Sequence, residues 1–462
     1  QGGAPSIWPG RGWGAMRQLP RLPGARPCRH AVVPLAAFRS GRDLTTCAGG
    51  GRDAVFAWPF AWPAEEPQRR RRGLWAGLGA ASAAAMAAAN AHGPRVSGPQ
   101  APLRGAAAAR CDTASFPDAC SSRVGVAIID GNMPCEDRHS VRQLGEGLLA
   151  AAVMDGHGGW QVAEWLSRSL LPTLGRQLEG DGNSQDCSVF DALEAAFAEC
   201  EAALLQQVES SQSPAGLARA LRIGACALCA VVSPSHLAIA NAGDCQALLL
   251  RGGEPIRVSV VHNADQPEEQ RRLRDAHPDE RDVFVCRGGA ANALGGLQGL
   301  AQMAFGGQPD LRLTACYVKG RLQPTRSFGD FYLKDKRYAS MGLIQPPLTP
   351  PYITAAPEIA VLPREREDQA LILASDGLWD FLTGLDVARV AQEFLPGPNA
   401  KAPKDSGSDG ATARALAEAL IHEALHAAAK EHSLGIEDMR SVPPGPQRRR
   451  LHDDITVVVV LL

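Results

Sequence analysis

The heptapeptide 153–159, Val-Met-Asp-Gly-His-Gly-Gly, places one acid and one histidine among glycines at the end of an apolar run. The run is short, continuous and apolar, which indicates a buried strand. Glycines allow the backbone to turn sharply and allow a ligand to come close. Asp155 and His157 could therefore form a ligand site at the end of a strand. Taken alone, the heptapeptide is equally consistent with a tight turn that exposes a histidine.

Further carboxylates recur where other apolar runs begin or end. They are Glu136, Asp137, Asp244, Asp330, Asp376, Asp380, Asp453 and Asp454. Any one of them is more often a turn residue or a helix cap, but packed sheets would gather all these ends at one rim. Clustered acids raise one another's pKa unless cations neutralise them, and oxygen ligands without a Cys/His set favour Mg²⁺ or Mn²⁺ over Zn²⁺. A dinuclear site of such ions suits phosphoester hydrolysis.

The elements that must position these acids begin at Arg123, where short apolar runs alternate with turns. Strands are predicted at residues 124–129, 149–154, 224–232, 236–241, 245–250, 370–375 and 455–462, and helices at 160–174, 190–208, 384–394 and 411–432. Short turns between strands imply antiparallel hairpins, and the helices come in separate runs. The sequence therefore predicts an α+β fold with packed sheets and outer helices. Residues 396–412 are predicted to form a polar loop, and the Gly/Ala-rich insertion 290–307 has no predicted place.

The bulk composition sets limits on the class of protein. At 462 residues the chain can hold two or three domains, or one large domain with extensions. A content of 21% charged and 45% hydrophobic residues suits a soluble globular core, and a net charge of -2 gives no argument for a nucleic-acid partner. The 12 cysteines show no paired framework and fit a reducing compartment, where thiols stay free.

Residues 1–115 differ in amino-acid composition from the rest of the chain and are predicted to be a targeting extension. Arginines precede the first acid, Asp43, at positions 11, 17, 21, 26, 29, 39 and 42. This Arg-rich, acid-poor composition is typical of an organellar transit peptide, and a disordered basic tail is the alternative. The uncharged stretch 73–92 is long enough to span a bilayer, but it equally fits an alanine-rich helix or the second half of a bipartite targeting signal. Membrane association is left open.

The motifs taken together resemble one family. EDR, VMDGHGG, NAGDCQALL, TRSFGD, LASDGLWD and DDITVVVV occur in the order and spacing of the metal-dependent serine/threonine phosphatases, the type-2C or PPM family. The likeness runs from about Arg123 to Leu462, so residues 116–462 are predicted to be a phosphatase domain. The resemblance implies two antiparallel sheets packed face to face with helices on both outer sides. It also implies a phosphoprotein substrate and a water nucleophile activated by two Mg²⁺ or Mn²⁺ ions, with a weaker third ion.

The resemblance implies a role for each residue that matches a family motif. Asp155 would bridge the two metals with the Gly156 carbonyl as a further ligand, and His157 would be the general acid that protonates the leaving seryl oxygen. The other metal-site residues would be Glu136, acting through a water molecule, Asp137, Asp376 and Asp453, with Asp244 and Asp380 for the third ion.

A narrower resemblance concerns the substrate. Most family members carry a phosphate-gripping arginine where this chain has Asn132, but segment 132–138 is similar to the pyruvate dehydrogenase phosphatase branch, as are 262–280 and 350–359. Asn132 and Arg138 are therefore predicted to bind the substrate. The resemblance implies the pyruvate dehydrogenase complex as the target and the mitochondrial matrix as the location, with a plastid as the alternative.

Two other functions fit parts of the sequence. A pseudophosphatase would keep the fold as a binding or structural subunit, and loss of the metal carboxylates would be its mark. His422, Glu423 and His426 form an HExxH motif, which makes a zinc metalloprotease the remote alternative. A third zinc ligand would have to lie near His422 and His426, but in an uninterrupted helix His432 lies on a different face from these two residues. The segment is therefore predicted to be a helix that packs on a sheet.

Cys226 and Cys229 form a CxxC sequence that resembles a redox motif. They lie in a predicted strand, where residues three apart point to opposite faces of the sheet. The two cysteines are therefore predicted neither to pair nor to chelate, but to be core residues.

Overall fold

The computed structural model of the 462-residue chain describes residues 123–179, 188–210, 213–287, 315–395 and 409–462. The predicted targeting extension 1–115, its uncharged stretch 73–92 and the insertion 290–307 lie outside the described residues. Within the described residues, the structure contains no helix that is long and apolar enough to cross a membrane.

Strands and helices alternate in separate runs along the chain. The strands are β1 (Val124–Ile129), β2 (Arg138–Gly145), β3 (Leu148–His157), β4 (Gly224–Val232), β5 (His236–Ala242), β6 (Gln246–Arg251), β7 (Glu254–Arg257), β8 (Phe284–Arg287), β9 (Ala315–Val318), β10 (Phe328–Gly329), β11 (Glu358–Pro363), β12 (Asp368–Ala374) and β13 (Ile455–Leu461). The helices are α1 (Gln161–Glu179), α2 (Val189–Glu209), α3 (Pro214–Ala220), α4 (Pro267–Ala276), α5 (Lys336–Ala339), α6 (Asp376–Trp379), α7 (Gly384–Ala391), α8 (Asp409–Glu431) and α9 (Ile436–Ser441).

The strands form two main antiparallel sheets. One sheet has the order β1-β13-β12-β6-β7 and the other has the order β11-β5-β4-β3-β2, with β10 pairing to β4. Every neighbouring pair in both sheets is antiparallel, as the short predicted turns required. The short strands β8 and β9 form a separate pair.

The inner faces of the two sheets pack against each other. Val126 and Val458 of the first sheet share one buried cluster with Val153 and Leu228 of the second. Since alternate strand residues point to opposite faces, the next residues along these strands face outward, where α7 and α8 cover the first sheet. Helix α1 packs on β2, β3 and β4 of the second sheet. Each fully buried large aliphatic side chain stabilises such a core by about 1.5–3 kcal/mol. The predicted helix–sheet–sheet–helix sandwich is confirmed.

Three stretches differ from the predicted elements, and the first two bear on the site. Strand β3 continues to His157, so Asp155 and His157 lie within the strand and not after it, because β4 pairs with β3 as far as Gly224. Strand β2 was not predicted, because its polar, half-buried sequence lacks an apolar run. Residues 409–412 belong to helix α8 and not to the predicted polar loop.

The prediction that the cysteines stay free is wrong for Cys286 and Cys316, which form a disulfide. They lie directly opposite each other on β8 and β9. Their separation of 30 residues, most of it outside the described residues, gave no pairing signal in the sequence. Cys226 and Cys229 are both buried and free, as predicted.

Candidate active site

Three aspartates from separate elements meet at the ends of the strands. Asp155 lies near the end of β3, Asp244 lies between β5 and β6, and Asp376 is the first residue of α6 after β12. One carboxylate oxygen of each lies within 4.8 Å of the other two. Asp376 Oδ1 is buried and has no hydrogen-bond partner in the described part of the chain. A buried carboxylate oxygen without a donor is costly unless a cation compensates its charge.

Burial and mutual repulsion disfavour the charged forms of these acids. Burial raises the pKa of Asp155, and the charges of Asp376 and Asp137 raise it further. Burial also raises the pKa of Asp376, to which the charge of Asp244 adds. Burial raises the pKa of Asp244, and the thiol of Cys226, 3.1 Å from Asp244 Oδ1, partly offsets this effect. Since the three acids offer only oxygen, the cluster fits Mg²⁺ or Mn²⁺.

Asp454 fixes the loop that carries Glu136. Its Oδ1 accepts hydrogen bonds from the backbone N–H of Gly131 at 2.6 Å and of Asn132 at 2.8 Å, and its Oδ2 accepts from the N–H of Glu136 at 2.7 Å. Burial raises the pKa of Glu136 to about 7, and the charge of Asp454 contributes. Asp454 therefore has a structural role, because it connects this loop to the start of β13 through hydrogen bonds.

Asp453 is bonded to this loop and acts electrostatically on two of the three clustered acids. Its Oδ1 accepts from Asn132 Nδ2 at 3.2 Å, and its Oδ2 pairs with the guanidinium of Arg449. The charge of Asp453 raises the pKa of both Asp155 and Asp376, which places it within electrostatic reach of the cluster. Burial raises the pKa of Asp453 itself to about 6.

The other residues predicted to hold metal surround the same place. Asp137 is buried, and its Oδ2 accepts a hydrogen bond of 2.7 Å from Ser375 Oγ. Gly156 admits no side chain, since a Cβ there would lie 2.5 Å from the carbonyl oxygen of Glu136. Asp380 is exposed at the end of α6, so it lies at the rim of the site.

His157 forms an ion pair that the sequence did not reveal. Its Nε2 lies 2.6 Å from Oδ2 of Asp330, which is 1% exposed. Burial lowers the pKa of His157, but the charge and the hydrogen bond of Asp330, with the charges of Asp244 and Glu136, together raise the pKa above its ordinary value. Ser327 Oγ donates to the same Oδ2 at 2.7 Å and fixes the carboxylate. The only sequence signal was that Asp330 lies at the end of an apolar run.

The backbone beneath this ion pair leaves no room for a side chain. A Cβ at Gly224 would lie 2.0 Å from Asp330 Oδ2 and 2.5 Å from His157 Nε2. Gly224 pairs with His157 across β3 and β4, and it also pairs with Gly329 of β10. The glycine therefore allows the strands to bring the acid and the histidine together.

The two residues predicted to bind substrate both have protein partners. Asn132 Nδ2 donates to Asp453 Oδ1 and to Asp454 Oδ2, each at 3.2 Å. Arg138 pairs with Glu164 at 2.5 Å, and its Nη1 donates to the backbone carbonyls of residues 135 and 137. Both side chains therefore help to hold the loop that carries Glu136 and Asp137.

The HExxH residues do not form a comparable site. His422 and His426 are exposed on α8 with their rings 4.4 Å apart, and Glu423 pairs with Arg389. The Nε2 of His432 lies 3.1 Å from the carbonyl oxygen of residue 451. The buried face of α8 packs on the first sheet, as the favoured interpretation predicted.

The comparisons with known proteins agree with one another on a single family. The family model described as "Protein phosphatase 2C" matches residues 132–433. Probable protein phosphatase 2C 78 of Oryza sativa subsp. japonica is 29% identical over 355 residues, which cover 74% of this chain and 77% of that protein. Probable protein phosphatase 2C 34 of Oryza sativa subsp. indica is 30% identical over 350 residues, which cover 73% and 78% respectively.

Among solved structures, the serine-threonine phosphatase 2C from Toxoplasma gondii matches with a TM-score of 0.46 and 19% identity, over 75% of this chain and 96% of that chain. The family model spans well over half of the present chain, including the segments that carry Asp155, Asp244 and Asp376. The chain therefore belongs to the protein phosphatase 2C family and is a metal-dependent serine/threonine phosphatase.

Proposed function

We propose that the acidic cluster is a dinuclear Mg²⁺ or Mn²⁺ site at which the protein hydrolyses phosphoserine and phosphothreonine in protein substrates. The observation that supports this most directly is the convergence of Asp155, Asp244 and Asp376, together with a buried Asp376 oxygen that has no hydrogen-bond partner among the described residues. Bound cations would lower the pKa of water and stabilise negative charge on the phosphoryl oxygens.

We assign the site residues of this chain to distinct tasks. Asp155, Asp376 and Asp453 would hold the two ions with the Gly156 carbonyl, Glu136 and Asp137, and Asp244 and Asp380 would hold a weaker third ion. His157 would keep a proton on its ring and deliver it to the leaving seryl or threonyl oxygen. Asp330 would orient that ring and keep it protonated. A phosphate-binding role for Asn132 and Arg138 stays a prediction.

The experiment is hydrolysis of a phosphoserine peptide by the protein with Mn²⁺, with Mg²⁺ and with EDTA. We expect turnover that requires the metal and stops in EDTA. A folded protein without turnover at millimolar Mn²⁺ would favour the alternative of a pseudophosphatase that serves as a binding subunit. The presence of Asp155, Asp376 and Asp453 argues against that alternative.

The pyruvate dehydrogenase complex is the narrower substrate hypothesis. Its support is the resemblance of segment 132–138 to that branch of the family, whereas the relatives described above are named only as 2C phosphatases. Dephosphorylation of the phosphorylated complex should be faster than that of an unrelated phosphoprotein at equal concentration. Equal rates on the two substrates would rule out this specificity.

The location is a separate hypothesis, which concerns residues 1–115. Their Arg-rich, acid-poor start favours import into the mitochondrial matrix, with a plastid as the alternative. A fusion of residues 1–115 to a fluorescent protein should accumulate in one of these organelles. A fusion that stays diffuse would contradict organellar targeting.

A further inference from the structure

Arg449 is the residue that we single out beyond the predicted site. It lies in a single 3₁₀ turn, Arg448–Arg450, that ends three residues before Asp453. Its Nη2 pairs with Asp453 Oδ2, and 49% of its side chain is exposed. Its position is fixed from the backbone as well, since its N–H donates to the carbonyl of Gly445, whose own N–H donates to the carbonyl of Gly131.

The two neighbouring arginines do not share this position. Arg448 is fully buried, and its Nε donates to His452. Arg450 is exposed and forms no ion pair with any residue in the described ranges. Among these three arginines, Arg449 is the one whose guanidinium reaches a site carboxylate.

The charge of Arg449 acts on several acids of the active site. It lowers the pKa of Asp453, of Glu136 and of Asp380, in each case against the larger effect of burial. The ion pair with Asp453 and the half-exposed side chain place the guanidinium between a site carboxylate and solvent. It can therefore meet an anion that enters from solvent.

A phosphorylated substrate requires such a partner. The side chains that gather at the site are mostly carboxylates, which repel a phosphate dianion wherever cations do not neutralise them. A guanidinium carries five N–H donors in a planar fork that matches phosphate geometry, and the pairing with Asp453 uses one nitrogen. Within the described part of the chain the remaining donors have no ion-pair partner, and the exposed half of the side chain can meet a ligand.

We propose that Arg449 binds a phosphoryl oxygen of the substrate, supplying from the turn before β13 the cation that the loop of Glu136 does not present. The proposal rests on the proposed phosphatase function of the same site. The amide of Asn132 is bonded to Asp453 and Asp454, and the guanidinium of Arg138 is bonded to Glu164 and to backbone carbonyls. Among the described residues, the guanidinium of Arg449 has a single ion-pair partner, Asp453.

The test compares Arg449→Gln with Arg450→Gln, which removes the same charge from the same turn. Binding of inorganic phosphate to the Mn²⁺-loaded protein is measured by calorimetry, and Mn²⁺ binding is measured separately. We expect Arg449→Gln to weaken phosphate binding by about tenfold to a hundredfold, which is the range of a hydrogen bond to a charged group. The phosphate affinity of Arg450→Gln should stay within about twofold of the wild-type value. Arg449→Lys should restore part of the affinity, since it returns the charge without the planar fork.

Metal affinity distinguishes substrate binding from a structural role. Arg449→Gln should bind Mn²⁺ at least as tightly as wild type, because it loses a positive charge beside Asp453. Unchanged phosphate affinity, or a loss of Mn²⁺ affinity that matches the loss for phosphate, would overturn the proposal. Absence of phosphopeptide hydrolysis by the wild-type protein would refute the proposed function, whereas the calorimetry tests Arg449 independently of turnover.

Discussion

The ring of His157 is under two opposing influences, burial among the sheet ends and the carboxylate of Asp330 at 2.6 Å. Burial is the largest single effect and favours the neutral ring, whereas the charge and hydrogen bond of Asp330, together with the charges of Asp244 and Glu136, favour the protonated ring and raise its pKa overall. A general acid must carry its proton at the working pH when the leaving oxygen departs. The ion pair therefore favours the protonated ring that the proposed general-acid role requires.

Replacing Asp330 by asparagine should move the alkaline limb of the pH–rate profile. The substitution keeps the size of the side chain but removes the charge, so the pKa of His157 should fall and the protonated ring should be lost at lower pH. We expect the alkaline limb of kcat to shift downward by about one pH unit, the lower end of what an adjacent opposite charge produces. The measurement is kcat against pH at saturating Mn²⁺.

The control for this shift is His157→Gln, in which the limb should be absent. A profile of Asp330→Asn that superimposes on the wild-type profile would show that Asp330 does not set the protonation of His157. A uniform loss of rate without a shift would show that the carboxylate acts through geometry alone.

At the scale of elements, the pairing of β4 with both β3 and β10 places His157 and Asp330 over Gly224. Gly224→Ala should force the two side chains apart, because its Cβ would overlap both. We expect kcat to fall by about a hundredfold, the typical effect of displacing a catalytic group by about 1 Å. Steady-state kinetics on a phosphopeptide measures this loss.

Gly145→Ala is the matched control, since a Cβ at the end of β2 meets no atom within 4 Å. Its rate should stay near that of wild type. Thermal unfolding of both variants separates a local displacement from loss of the fold. If Gly224→Ala were folded and fully active, the ion pair would have no part in catalysis.

The strands that carry the site were predictable where their sequences are continuous and apolar. The predicted strand 224–232 agrees with β4, and the predicted helix 190–208 agrees with α2 to within one residue at each end. Strand β2 has a half-buried, polar sequence, so an apolar run could not reveal it. Strand β3 extends three residues beyond its prediction, because pairing with β4, and not hydrophobicity, determines where it ends.

The acids of the site could be predicted because strand ends of packed sheets collect at a rim. Their partners could not, since they come from distant parts of the chain. Asp330 is 173 residues from His157, and Asn132 is 321 residues from Asp453. The pairing of Arg449 with Asp453 could not be predicted either. The two residues are close in sequence, but their pairing depends on a turn that no apolar pattern indicates.

For the whole molecule, the raised pKa values of the site acids link folding to pH. Glu136 has a pKa of about 7 and Asp453 of about 6, whereas carboxyl groups in an unfolded chain titrate near pH 4. The folded protein therefore binds more protons than the unfolded chain between these values. Its stability without metal must fall as the pH rises through this window.

The metal-free protein should accordingly have a lower Tm at pH 7.5 than at pH 5. Mn²⁺ should raise Tm more at pH 7.5 than at pH 5, because protons compete with the cation for the carboxylates. Calorimetric scans in EDTA and in Mn²⁺ at matched ionic strength measure both effects. A metal-free Tm that rises with pH across this range would contradict the assignment of Glu136 and Asp453 to a repulsive acidic cluster.

Calorimetric titration of Mn²⁺ into the wild-type protein and into Asp155→Asn is the most direct test of the metal site. The substitution keeps the volume of the side chain and removes one of the three clustered carboxylate charges. We expect Asp155→Asn to lose more than about tenfold in Mn²⁺ affinity, together with turnover, while its Tm in EDTA equals or exceeds that of the wild type. If Asp155→Asn bound Mn²⁺ as tightly as the wild type, the metal would be held elsewhere and the account of this active site would be wrong.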